Sequence, residues 1–190
     1  DVAQRFPKGH CIRLALSTVY WPLAWPAPEP VRMILHTGGS ALRLPVRPPR
    51  EEDERMRPFE APETAGPIER QQLTPVEHRW KVTHDLANGR DELEVFKDDG
   101  RVRWPEIDLE HEDTVYESYG VQDDDVRSLR GETATRKLFR RGPWSVTTKT
   151  RTVMTATSDE FIIHADLDAW EGEQRVFCRS WDRRIPRDHV

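Results

Sequence analysis

The chain has 190 residues, 36% hydrophobic and 33% charged, with a formal net charge of -5 and a mean hydropathy of -0.79. That length can bury a core without disulfides or a structural metal, and seven Trp with several β-branched runs exclude a disordered chain. Charges of both signs alternate along the sequence, which excludes the basic footprint of a nucleic-acid binder. No run of about eighteen apolar residues is present, so a membrane-spanning helix is excluded and a cytoplasmic location is expected.

Residues 1–47 form the first region. From Cys11 to Thr18, Ile12, Leu14 and Leu16 alternate with Arg13, Ala15 and Ser17, the period of a strand with one dry face. Residues 31–37 read as a second strand, Gly38-Gly39-Ser40 as a turn, and 41–46 as a third strand. Between the first two lie Pro22, Pro26, Pro28 and Pro30, which forbid regular ladder pairing there. An ordered loop carrying Tyr20, Trp21 and Trp25 is therefore expected.

Residues 48–76 hold Pro48-Pro49, the charged run 50–55, then Pro58, Pro62, Pro67 and Pro75. Each Pro lacks a donor and holds its predecessor extended, so a semi-rigid connector is predicted, with room for a short helical turn at 50–56.

Residues 77–190 read as one long antiparallel meander. Arg79 to Leu86 alternates, Asn88-Gly89 signals a tight hairpin with both central residues at positive φ, and 91–97 returns. Asp98-Asp99-Gly100 reads as a second tight turn. Strands follow over 107–121, 132–140, 144–157, 161–170 and 175–185, separated by short links that favour antiparallel neighbours. Residues 120–130, with Asp123-Asp124-Asp125, read as a longer polar loop. One face of 161–169 is Phe161, Ile163, Ala165, Leu167 and Ala169, and the other carries His164, Asp166 and Asp168. A sheet wet on one side must cover its apolar face. The predicted class is all-β: sandwich or jelly-roll strands followed by a long-stranded meander.

Reactive residues are dispersed. Cys11 and Cys178 read as two buried or half-buried thiols. The His residues show no H-x-x-x-H or H-E-x-x-H spacing, so no metal site and no cofactor are expected, although His84, His111 and Asp166 lie on strands that could bring them together. The Asp-rich turns do not match a calcium loop, and Asp is common in turns.

The phrase Phe6-Pro7-x-Gly9-His10-x-Ile12-Arg13-Leu14-Ala15-Leu16-Ser17, followed by the Trp/Pro loop, resembles the non-catalytic C-terminal jelly-roll domain of the CocE/NonD serine hydrolases, which include Xaa-Pro dipeptidyl-peptidases and acyl-ester hydrolases. The likeness is best over residues 3–50, where it covers only closing jelly-roll strands. The ending Trp181-Asp182-Arg183-Arg184-Ile185-Pro186 is similar to a C-terminal extension found in some of these enzymes. Such hydrolases place their nucleophile in a G-x-S-x-G elbow between strand and helix. None of Ser17, Ser40, Ser118, Ser128, Ser145, Ser158 or Ser180 has that setting. The resemblance therefore implies no catalytic residue here, a nucleophile upstream of Asp1, and an α/β-hydrolase domain as partner.

Tyr20, Trp21 and Trp25 are the candidate binding or domain-interface residues. Flat aromatic faces suit a sugar or acyl group, and the same rings suit packing against the hydrolase domain or the chain's own sheet. Packing is the favoured reading. The alternative is a free-standing β-sandwich module that binds a ligand such as carbohydrate.

Overall fold

The computed structural model describes residues 4–188. Alternation of apolar and charged residues over long runs builds one antiparallel sheet of eight strands: β1 (Gln71–Gln72), β2 (Glu77–Asp85), β3 (Arg90–Trp104), β4 (Leu109–Gln122), β5 (Asp125–Arg141), β6 (Trp144–Ala156), β7 (Glu160–Glu171) and β8 (Gln174–Pro186). Strands β3 to β8 lie side by side in chain order, and β1 and β2 share the edge of β3 away from β4. The all-β antiparallel meander expected from the short links is what the chain adopts.

Three links differ from expectation, each for a local reason. At Asn88-Gly89 only the Gly is left-handed (φ 63°). The Asp85 carboxylate accepts the backbone N–H groups of Ala87 and Asn88 (2.9 and 3.2 Å) and holds Leu86 to Gly89 as a wider loop. The paired left-handed residues sit instead at Asp123 (φ 47°) and Asp124 (φ 59°), so the expected polar loop at 120–130 is a tight hairpin with Gln122 opposite Asp125. Asp98-Asp99-Gly100 is no turn at all. It is a bulge within β3, where the register to β4 shifts between Asp98 and Arg101. β2 pairs with β3 before the bulge and β1 after it.

Register assigns the faces. Tyr119, Gly131, Met154 and Ile163 are cross-strand neighbours, as are Val115, Thr135, Thr150 and Leu167. This apolar face also carries Val95, Val102, Leu129 and Ala156, each less than a tenth exposed. On the opposite, charged face the neighbours are Tyr116, Ala134, Arg151, Asp166 and Ser180. There Arg101 (3.0 Å) and Arg136 both bind Glu112. Arg130 and Arg151 (2.6 Å) both bind Glu132. Burial works against the charge on Glu112, but its two guanidinium partners outweigh that and hold the carboxyl below its ordinary range.

Residues 11–18, 31–37 and 41–46 are not strands in this structure. They belong to no ladder, and Ile12, Leu14 and Leu16 are 52, 60 and 50% exposed. A strand persists only when its backbone groups find a partner, and the prolines between the first two segments block pairing there. The short turn at Thr37–Gly39 and the helical turn α1 (Glu51–Glu54) fall where expected.

Candidate functional site

The aromatic loop is the part of the N-terminal arm that meets the sheet. The Ala24 N–H donates to the Tyr20 carbonyl (2.8 Å) and closes the loop, within which the Trp21–Pro22 peptide is cis. Trp21 and Trp25 meet edge to face at 4.7 Å and 81°. Trp21 then meets Tyr119 of β4 at 5.9 Å and 85°, and Trp25 meets Phe161 of β7 at 5.8 Å and 84°. Gly131 of β5 keeps the seat open: a Cβ there would stand 3.6 Å from Tyr119 and 3.8 Å from Trp21. Tyr20 does not join the stack and is 67% exposed.

The far side of the loop is fastened by Arg187, which is 2% exposed. Its Nη2 donates to the Pro26 carbonyl (2.5 Å) and its Nη1 to the Thr157 carbonyl (3.0 Å). Its backbone N–H donates to the Asp159 carbonyl (2.9 Å). The guanidinium lies 4.8 Å above the Phe161 ring, and burial lowers its basicity. Edge-to-face pairs contribute about 0.5–1.5 kcal/mol each beyond area burial. The arrangement is a packing seam between arm and sheet in which both Trp faces are already engaged.

One fault in the seam is testable. Trp25 Nε1 is buried and has no hydrogen-bond partner, and an unmet donor costs about 1–3 kcal/mol. Trp25→Phe removes the donor and keeps a ring against Phe161, so it is expected to leave stability unchanged or raised, whereas Trp25→Ala costs about 3 kcal/mol. Urea unfolding of the two variants checks this; equal losses would sink it.

Titratable groups cluster on the charged face at the β7–β8 pair. His164 Nδ1 lies 2.7 Å from Asp182 and Nε2 3.1 Å from Asp166. The Ser180 hydroxyl donates to Asp166 (2.6 Å). Ser, His and Asp thus sit together, but the hydroxyl faces a carboxylate and not the imidazole. No base is placed to take its proton, which a serine nucleophile requires. With both ring nitrogens against carboxylates, the imidazolium is the form that fits. The Asp182 hydrogen bond, then the charge of Asp166, raises the His164 pKa against a smaller opposing effect of burial.

Folded His164 therefore holds its proton more tightly than the unfolded chain. Its stabilisation is complete below the ordinary His value of 6.5 and is lost as pH rises through the raised folded value. Denaturation midpoints are expected to fall between about pH 6 and about pH 8.5, and His164→Gln is expected to flatten that fall. An unchanged slope in the variant would remove His164 as its cause.

Other expected meetings do not occur. His84 pairs with Asp91 on the apolar face. His111 lies there between Trp104 (5.7 Å) and Phe139 (4.8 Å), and Asp166 is on the charged face. Among the described residues no three His, Cys, Asp or Glu side chains are grouped to hold a metal ion; His189 lies outside them. Cys11 and Cys178 are free and exposed, not buried. Cys178 stands on the outer strand β8 and Cys11 on the unpaired arm, so neither is covered. No helix among the described residues is long and apolar enough to cross a membrane.

Sequence reasoning located the loop but missed its seat, because Tyr119, Gly131, Phe161 and Arg187 are remote in the chain. Only Phe161, opening an apolar strand face, carried a signal. The chain matches no protein-family model, no curated protein and no solved structure.

Proposed function

We propose that this chain is the non-catalytic C-terminal region of a serine hydrolase of the CocE/NonD, Xaa-Pro dipeptidyl-peptidase-like type. Its role is to complete a jelly roll and to buttress the catalytic domain, and its aromatic loop borders the substrate entrance. The parent reaction is acyl transfer to water through a serine nucleophile. The observation that carries the reading is the arm. Its segments have strand periodicity, a dry face that is half exposed, and no partner strand among the described residues. Such segments make sense as strands added to the sheet of another body. The Phe6 to Ser17 phrase supports the same assignment.

The reading is tested by sequencing the coding region upstream of Asp1. An open frame running back through a G-x-S-x-G elbow with the Asp and His of a triad is the expected result. A start codon directly before Asp1 would overturn it. In the intact product, an active-site serine probe should label the elbow serine and none of the serines of this chain.

A further inference from the structure

We infer that the apolar face of the sheet is the surface on which the arm-completed domain of the same polypeptide docks, and that the charged face stays open to water. The identity of that domain rests on the hydrolase reading above; the choice of face does not.

The first observation is where the arm is tied down. Its loop end sits on the apolar face over Tyr119, Gly131 and Phe161. Its connector end returns to the same face, where Ile68 borders a crevice of about 480 Å³ with Trp104, Ile107, Leu109, His111 and Phe139. Register places these two ends at opposite ends of β4 and β5: Tyr119 pairs with Gly131, and His111 with Phe139. A body built from the arm segments between the two ties therefore stands over the middle of the apolar face.

The second observation is what that middle contains. The row Val115, Thr135, Thr150 and Leu167 crosses it without a charge, and Thr152 beside it is exposed. The Thr135 and Thr150 hydroxyls satisfy one another at 2.7 Å, so covering them strands no donor. The charged face is the reverse. Glu112, Glu132 and Asp166 there are already bound by Arg101, Arg136, Arg130, Arg151, Ser180 and His164. Covering that lattice would desolvate paired ions with little gain.

The third observation is area. The accessible surface is 15871 Å² for 22.2 kDa, where a compact monomer of that mass exposes about 9,400 Å². Much of the excess belongs to the arm. It exceeds the roughly 2,000–5,000 Å² of a permanent interface, so the occupant is a domain and not a small ligand.

The test uses the intact product of the complete reading frame with Cys11 and Cys178 replaced by Ser. Single cysteines are placed by Thr148→Cys and Thr152→Cys on the apolar face, and by Thr147→Cys and Lys149→Cys on the charged face of the same strand. Maleimide labelling is followed in native buffer and normalised to labelling in urea. The expected result is labelling at least about tenfold slower at positions 148 and 152 than at 147 and 149, independent of protein concentration. Equal rates, or slower labelling of the charged face, overturn the inference. Shielding that appears only as concentration rises makes the occupant a second copy and also overturns it. The two readings separate cleanly. Shielding of 148 and 152 with no G-x-S-x-G elbow upstream keeps the docking face and removes the hydrolase. An elbow upstream with equal labelling does the opposite.

Discussion

Replacing Arg187 by Ala is expected to release the aromatic loop while leaving the sheet intact. The side chain joins residues far apart in sequence, since its two guanidinium bonds end on the Pro26 and Thr157 carbonyls and its plane lies on Phe161. Truncation leaves both carbonyls short of a partner and takes a cation off the ring. Losing hydrogen bonds to a charged group, with the acceptors left covered, costs about 3 kcal/mol. That is roughly a hundredfold shift in a local opening equilibrium. The Ala24 amide, bonded to the Tyr20 carbonyl at 2.8 Å, is the natural reporter. Its hydrogen exchange should accelerate by about two orders of magnitude, and the emission of Trp21 and Trp25 should shift to the red. Amides of β5 and β6 should keep their protection. Arg187→Lys restores charge without the second bond and should recover part of the loss. Unchanged exchange at Ala24 in the Ala variant would mean that the rings alone hold the loop.

That expectation also shows what could be read from the sequence. Long alternating runs such as Phe161 to Ala169 made the meander legible, because side-chain direction in a strand depends only on parity. The density of Trp and Pro made the loop legible. Its seat was not, since a glycine marks Gly131 only by the absence of a side chain, and a single Arg after Pro186 has no local pattern. Turn chemistry misled at two places for one reason. Asp side chains compete for backbone N–H groups, so Asp85 widened the Asn88-Gly89 loop and Asp123-Asp124 took the left-handed pair. The arm was misread differently. Ile12, Leu14 and Leu16 carry a real strand period, but periodicity gives the face of a strand and not its partner. The same segments support the hydrolase proposal, where the partner is another body.

Gly100→Ala is expected to cost about 3 kcal/mol and to free β1 from β3. Two effects add. Gly100 has φ +67°, a left-handed value at which a Cβ costs about 1–2 kcal/mol. A Cβ there would also stand 2.4 Å from the Thr74 carbonyl oxygen and 2.8 Å from that of Pro75. Both are backbone atoms, so no rotation of a flexible side chain relieves them. The same few residues tie the connector to the bulge. Gln72 Nε2 donates to the Thr74 and Asp99 carbonyls (2.8 and 3.0 Å). The Arg101 N–H donates to Thr74 Oγ1 (2.6 Å), and the Leu73 N–H to the Arg101 carbonyl (2.7 Å). Displacing residues 74–75 to admit a methyl group breaks these together, so exchange at Leu73 should rise with the loss of stability. Gly142 supplies the control. It has φ +53° and nothing within 4 Å of its would-be Cβ, so Gly142→Ala should cost only the backbone strain of about 1–2 kcal/mol. A larger loss at Gly100, with exchange at Leu73 raised only there, separates the close approach from the strain. Equal losses in urea unfolding, with Leu73 still protected, would show that the connector yields and that β1 is not held by this contact.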